Sequence, residues 1–241
     1  MSRIVSWFSC GAASAVATKK TLLKYGAENV IVASCVVENE HDDNERFLID
    51  CEKWFGVPVL RLRSAKYKDC WELWEKRRYL NGAKGALCTT EMKKMVRQKF
   101  QKISDVQIFG FTSEETNRAD RFKLQNPEVD LETPLIDLSI TKNDCFKIIQ
   151  DAGILLPITY RMGYKNANCL GCVKGGSKYW AGIRADWPEI FERMSKLERS
   201  LNTRLLKVKG KRIHLDELPA DYPIKRGLDI ECGLWCKGEK V

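Results

Sequence analysis

Ten cysteines and only two histidines, His41 and His214, set the chemistry open to this chain of 241 residues. A metal site or proton shuttle built from several imidazoles is ruled out, so metal chemistry falls to sulfur. The most telling spacing is Cys169-Leu-Gly-Cys172, a Cys-x-x-Cys pair in a Gly- and Asn-rich loop. A thioredoxin-like dithiol opens a helix after a strand; this pair does not, which turns the reading towards metal. Cys88 precedes a basic helix whose dipole, with Lys93 and Lys94, favours thiolate. Three thiolates plus a fourth ligand suit an iron–sulfur cluster, with zinc as the alternative. Cys10, Cys35, Cys51, Cys70 and Cys145 fall within helix or strand patterns and read as core packing. Near the end, Glu231-Cys-Gly-Leu-Trp-Cys236 sets two thiols beside Lys225, Arg226 and Lys237, either as a mobile nucleophile or as surface thiols on a frayed end.

A second candidate is the loop Ser9-Cys-Gly-Ala-Ala-Ser14, small residues between an apolar run and a helical pattern. It is neither a dinucleotide fingerprint nor a Walker loop. Its place suits an anion at a helix N-terminus, and it equally suits an ordinary tight turn.

Stepping outward from these residues, the elements that position them alternate. Ile4–Phe8, Val30–Val37, Val57–Leu62 and Val106–Phe111 read as buried strands, with an edge strand near Leu131–Leu138. Helical patterns occupy Ser14–Tyr25, the stretch through Phe47, Cys51 and Phe55, Tyr67–Leu80, the basic run to Lys102, Thr141–Ala152 and Trp187–Leu201. Thr112–Arg121 and Pro157–Gly176 read as loops, and Arg204–Leu215 as a hairpin. Strands alternating with helices predict an α/β fold, a mostly parallel twisted sheet with helices on both faces. One nucleotide-binding domain is expected over 1–218, with a Cys-rich loop at 160–176 and a flexible tail at 219–241.

Composition is consistent with this. At 44% hydrophobic and 30% charged the chain is neither disordered nor collagenous, and no apolar run reaches the ~18 residues of a membrane span. The first residues superficially resemble a secretory signal, but Ser6, Ser9, Cys10 and Gly11 break the apolar stretch. Cysteine usage at this length fits a reducing, cytoplasmic setting. A balance of 41 Lys+Arg against 32 Asp+Glu gives +9, which suits a polyanionic partner and suits a solvated basic surface equally well.

Taken together, these pieces resemble the adenosine phosphosulfate and phosphoadenosine phosphosulfate (APS and PAPS) reductases of the adenine nucleotide alpha-hydrolase-like superfamily. The resemblance is carried by Ser9-Cys-Gly-Ala-Ala-Ser-Ala15, which looks like their modified PP-loop. It continues through Glu38 to Trp54, Leu87-Cys-Thr-Thr-Glu-Met-Lys93, Gly110 to Arg121, Gly163-Tyr164 before Cys169-Leu-Gly-Cys172, and Glu231-Cys-Gly-Leu234. The resemblance implies an enzyme of sulfur metabolism, an oxidoreductase in which Cys232 attacks the sulfate of an adenylyl sulfate. It implies nucleotide contacts from Ser9, Cys10, Gly11, Ala12, Ser14, Val37, Glu38 and Gly110, and sulfate or phosphate contacts from Lys93, Arg118 and Arg121. It implies a [4Fe-4S] cluster on Cys88, Cys169 and Cys172, with Cys236 or an exogenous group for the fourth place. Thioredoxin or glutaredoxin is the expected reductant, without flavin, nicotinamide or membrane, and the oligomeric state, a homodimer included, is left open.

Four departures qualify the likeness. Thr89 stands where cluster-bearing reductases have a second cysteine, Gly110-Phe111-Thr112 lacks the usual arginine, and Trp235 replaces a histidine. The N-terminal loop lacks the Asp of ATP-hydrolysing relatives. Three-cysteine clusters also occur in relatives that transfer sulfur to tRNA or DNA, so an ATP-consuming sulfur transferase is the alternative, followed by a non-catalytic nucleotide-binding protein.

Overall fold

The computed structural model describes residues 2–82, 85–227 and 230. In chain order the elements are β1 (Ile4–Trp7), α1 (Ala12–Tyr25), β2 (Val30–Cys35), α2 (Asp43–Phe55), β3 (Val59–Leu62), α3 (Cys70–Arg77) and α4 (Met95–Phe100), the last continuing a π-helical stretch at Thr89–Lys94. Then come β4 (Val106–Ile108), α5 (Thr116–Gln125), β5 (Asp130–Glu132), α6 (Pro134–Asp137), α7 (Lys142–Asp151) and α8 (Ile158–Arg161). They are followed by α9 (Ser177–Asp186), α10 (Pro188–Ser200), β6 (Leu206–Val208) and β7 (Lys211–Ile213).

The chain gathers into two compact units. The first draws on Met1–Val36, Asp42–Arg63 and Val96–Ile158, and the second on Val37–His41, Ser64–Met95 and the chain from Thr159 onward.

The first unit is the expected α/β architecture. Its sheet is wholly parallel, in the order β3-β2-β1-β4-β5, and helices flank it. All four residues of β1 are buried, as a central parallel strand requires, and Ile4 is in register with Val30 on one side and Val106 on the other. The chain moves outward from β1 to β3, then returns to lay β4 on the opposite side of β1. The strand order therefore reverses between β1 and β4, the place where open α/β sheets bind ligands. Helix α1 packs an Ala-rich face on the sheet, and its buried hydroxyls are satisfied: Ser6 and Thr18 lie 2.8 Å apart, and Thr21 Oγ1 donates to the Ala17 carbonyl.

Three expectations change. The edge strand is confined to Asp130–Glu132, because Pro134 fits the first turn of α6 and cannot continue a ladder. Thr112–Arg121 is mostly helical: the Thr112 N–H donates to Glu115 Oε2 at 3.1 Å, and this cap leads through a short 3₁₀ turn into α5. Helix α9, absent from the sequence reading, occupies Ser177–Asp186.

The second unit is organised around tryptophan and sulfur. Trp71, Trp74 and Trp180 share one core with Cys70, Cys169, Cys172, Tyr179 and Leu206, and the first two tryptophans meet edge to face at 5.2 Å. The β6–β7 hairpin is antiparallel, as expected, with Leu206 opposite Ile213. Its root is fixed by Glu198, whose buried carboxylate accepts the N–H groups of Leu205 and Leu215. Burial raises the Glu198 pKa against the pull of those two bonds.

Candidate functional site: a switch-point loop and a cluster of thiols

In the first unit, the loop after β1 turns through Cys10 at a positive φ of 54° and opens α1 at Gly11. Ser14 Oγ accepts from the Ser9 N–H and Ser9 Oγ, each at 3.1 Å, and donates to the Gly11 carbonyl at 2.9 Å. Opposite, Gly110 follows β4 so closely that a Cβ there would stand 2.7 Å from the Ser14 backbone N and Cα. Only glycine allows that approach. Ser9 to Ser14 and Gly110 are thus brought together at the point of strand-order reversal. Ser9 is exposed and Ala12 is buried.

Arg97 of α4, unmarked in the sequence, is 1% exposed in this unit. Its guanidinium lies 5.7 Å from the ring centres of both Phe109 and Phe122, while Nε and Nη1 are buried without hydrogen-bond partners. Burial lowers its pKa, with Cys35 and Glu128 acting in the opposite direction. A buried cation without a hydrogen-bonding counterion is costly unless an anion joins it.

Two of the remaining expected anion contacts are engaged by carboxylates. Arg118 pairs with Glu115 and lies over the Phe111 ring, and Arg121 is exposed on α5. Lys93 belongs to the second unit, where Nζ sits 3.1 Å from Glu40. Val37 and Glu38 also belong there, the first buried and the second exposed.

In the second unit Cys70, Cys169 and Cys172 belong to one core, and Cys88 packs against it. Hydrogen bonds to Cys169 and to Cys88, followed by burial, hold the Cys70 thiol far above the usual thiol range. Cys70 is buried in the core, as its sequence pattern indicated, and it also hydrogen-bonds to its neighbouring thiols. Two ties enforce the arrangement. Asn39 Oδ1 accepts the Cys70 N–H at 2.7 Å, and the Asn39 carbonyl accepts the Leu170 N–H at 2.8 Å, so one residue joins the start of α3 to the Cys-x-x-Cys loop. On the other side the Tyr179 hydroxyl accepts the Cys172 N–H at 3.0 Å and donates to the Cys169 carbonyl at 3.4 Å. Gly171 turns at φ 70°, and a Cβ there would meet Ile190 at 2.8 Å. Cys88 caps the π-helical stretch, a local irregularity frequent at functional sites. Among the described residues no group of three or more His, Cys, Asp or Glu side chains could hold a metal ion.

The chain after β7 is held against α9 as far as it is described. Arg184 donates to the carbonyls of Leu218, Pro219 and Ala220, and the Lys225 N–H donates to the Lys178 carbonyl. Arg226 makes a two-bond pair with Asp186 at 2.6 and 2.7 Å, and the Tyr164 hydroxyl donates to the same carboxylate. Asn168 Nδ2 reaches the Ile230 carbonyl at 2.9 Å, next to Cys169. The segment 219–227 is therefore a strap, where the sequence reading expected flexibility. Cys232 and Cys236 lie outside the described residues.

Among the described residues no helix is long and apolar enough to cross a membrane. No protein-family model and no curated protein matches the chain.

Proposed function

We propose that this protein is a cytoplasmic sulfonucleotide reductase acting on APS or PAPS. The observation that carries the reading is the glycine-enforced approach of Gly110 to the first turn of α1, which sets a small-residue loop and a helix N-terminus at the reversal between β1 and β4. Ser9, Cys10, Gly11, Ala12, Ser14 and Gly110 are the nucleotide contacts of this reading within the first unit. Arg97, Arg118 and Arg121 are its cations for the phosphosulfate.

In the first half-reaction the Cys232 thiolate attacks the sulfonyl sulfur. An S–S bond forms as the sulfur–oxygen bond to phosphate breaks, and AMP or its 3′-phosphorylated form leaves with the electron pair. An enzyme S-sulfonate remains. A dithiol reductant, thioredoxin or glutaredoxin, then attacks the Cys232 sulfur, expels sulfite and finally closes to its own disulfide as the Cys232 thiol is restored. A cluster on Cys88, Cys169 and Cys172, when bound, supplies electrostatic and structural support to the fold.

Mixing the protein with APS or PAPS without reductant and reading intact mass tests this. A sulfonate adduct is expected in the parent and in Cys236→Ser, and absent in Cys232→Ser. An adduct that survives Cys232→Ser, or none with either nucleotide, rejects the reading.

One observation favours a second reading. The β6–β7 hairpin exposes Lys207, Lys209, Lys211 and Arg212, a cationic edge suited to a nucleic-acid backbone. A sulfur transferase would consume ATP and bind RNA or DNA with a steep salt dependence, whereas the reductase needs neither.

A further inference from the structure

We propose that the β6–β7 hairpin is an interaction surface for double-stranded DNA, which it holds through the phosphodiester backbone. The sequence concentrates charge there: Arg204, Lys207, Lys209, Lys211 and Arg212 fall within residues 204–212, and no acidic residue stands between Glu198 and Asp216. The strand register sharpens the concentration. Lys207 lies directly opposite Arg212, and both are exposed. Cβ atoms of such a pair are only ~4.5–5.5 Å apart, and like charges so placed repel. Among the described residues Lys207, Lys209, Lys211 and Arg212 form no ion pair that would offset the repulsion. Carboxylates are at hand, yet Asp216 and Glu217 pair with Arg199, and Glu192 with Lys196.

The turn carries a second sign. Val208 and Lys211 face each other across two residues, Lys209 at φ 47° and Gly210 at φ 82°. A turn of this kind needs the left-handed conformation at both central positions, and asparagine adopts it at the first with less strain than lysine does. The fold bears that strain and projects a cation from the turn. The ribbon behind it is firmly anchored. Leu206 is wholly buried, Val208 and Ile213 pack on the same core, and Glu198 accepts the N–H groups of Leu205 and Leu215. Ser177 Oγ adds a bond to the Lys207 carbonyl at 3.3 Å. A pre-organised ribbon loses little freedom on binding.

Residue types select among the polyanions that answer this charge. Binding to an anionic membrane couples basic residues to apolar ones that insert, and residues 201–215 expose no large hydrophobic side chain. Single-stranded nucleic acid is held on aromatic platforms, and the same stretch has no Phe, Tyr or Trp. A duplex backbone needs neither. The major groove of B-form DNA, ~12 Å wide, admits a two-stranded ribbon, whereas the narrow major groove of A-form RNA does not.

This is the surface that favours the second reading above, and the inference deepens that reading by naming its substrate; it rests on that reading only in taking nucleic acid as the partner. Neither ATP nor a sulfonucleotide enters the test. Duplex binding without sulfur transfer rejects the transferase and leaves the surface standing.

Full-length protein is titrated into a short fluorescent DNA duplex of arbitrary sequence, and anisotropy is read at a series of salt concentrations. Four phosphate contacts give a slope of about −3.6 in log K against log salt, roughly a 150-fold loss of affinity between about 50 and 200 mM. The most informative variant is Lys209→Asn, because asparagine relieves the turn. Its melting temperature is expected to equal or exceed the parent's while its slope flattens by about 0.9, so misfolding cannot explain the loss. Lys207→Gln and Arg212→Gln are each expected to flatten the slope by about as much. Lys147→Gln, an equal loss of charge at an exposed position on α7, is expected to leave it unchanged. Absent or salt-independent duplex binding overturns the proposal, as does an equal effect from Lys147→Gln. Tighter binding to single-stranded DNA or duplex RNA overturns it too, as does equal competition by polyglutamate or by vesicles containing phosphatidylserine.

Discussion

Arg97 places a guanidinium between two phenyl rings with two of its nitrogens unsatisfied. If an anion completes it, removing the charge has opposite effects in the two states of the protein. Without anion, Arg97→Met is expected to be neutral or to stabilise by ~1–4 kcal/mol, as replacement of buried ionic groups by apolar ones often does. With rising sulfate the parent melting temperature should climb and that of Arg97→Met should not, because only the parent gains by mass action. Equal slopes in thermal melts would make Arg97 a purely structural residue. Neither Arg97 nor Cys70 was marked in the sequence, for different reasons. Arg97 is one of many basic residues in its stretch, and its burial is a tertiary fact. Cys70 precedes Trp71 and Trp74 on an apolar face and reads as core; its one local sign is its place just after the cap Asp69, at a helix N-terminus. Its partners are brought by Asn39 from a distant segment, and no spacing rule reports that. Cys169 and Cys172 were legible because their pairing is local.

Among the elements, the strap along α9 lends itself to a pH test. Asp186 is held below its ordinary value of 3.8 by hydrogen bonding to Arg226, against burial, with Tyr164 also contributing. A carboxylate with a depressed folded-state pKa stabilises the fold above its unfolded value, and that stability is lost as pH falls through the folded one. The melting-temperature gap between the parent and Asp186→Asn is therefore expected to be widest near neutrality and to close below pH 3.8. A gap that is constant with pH would mean that the strap does not depend on the charge. Elements with a strong period or clear punctuation were readable from sequence: β1, the small-residue loop and α1, and α2 with its apolar face and Gly56 stop. Helix α9 was not, because Tyr179 to Ile183 are buried in succession and Gly182 interrupts it, leaving no polar face to reveal a helical repeat. Strand β5 was anticipated near Leu131–Leu138, but its bounds were not legible because three residues carry no alternation.

At the scale of the whole molecule, the alternation of strands and helices pointed to an α/β chain but not to its division into two units, since neither unit is continuous in sequence. Cys88, Cys169 and Cys172, the ligands of the proposed cluster, all fall in the second unit, so its loading should act unevenly. Hydrogen exchange is expected to slow on loading across 64–82, 85–95 and 159–227, with 96–158 little changed, because ligand binding protects the units that must open to release it. Uniform slowing, or slowing confined to 96–158, would place the centre elsewhere.

The interleaving has a consequence for how the protein is made. Cys70 and Cys88 leave the ribosome before any of Val96–Ile158, the stretch that supplies β4 and β5 to the parallel sheet, whereas Cys169 and Cys172 follow it. The sheet can close while the sulfur-bearing core is still half synthesised. The first two thiols must then wait, reduced and without their partners, until translation has passed Cys172. Under the proposed cluster reading, assembly would have to follow the synthesis of Cys172, after the strands of the parallel sheet have been made.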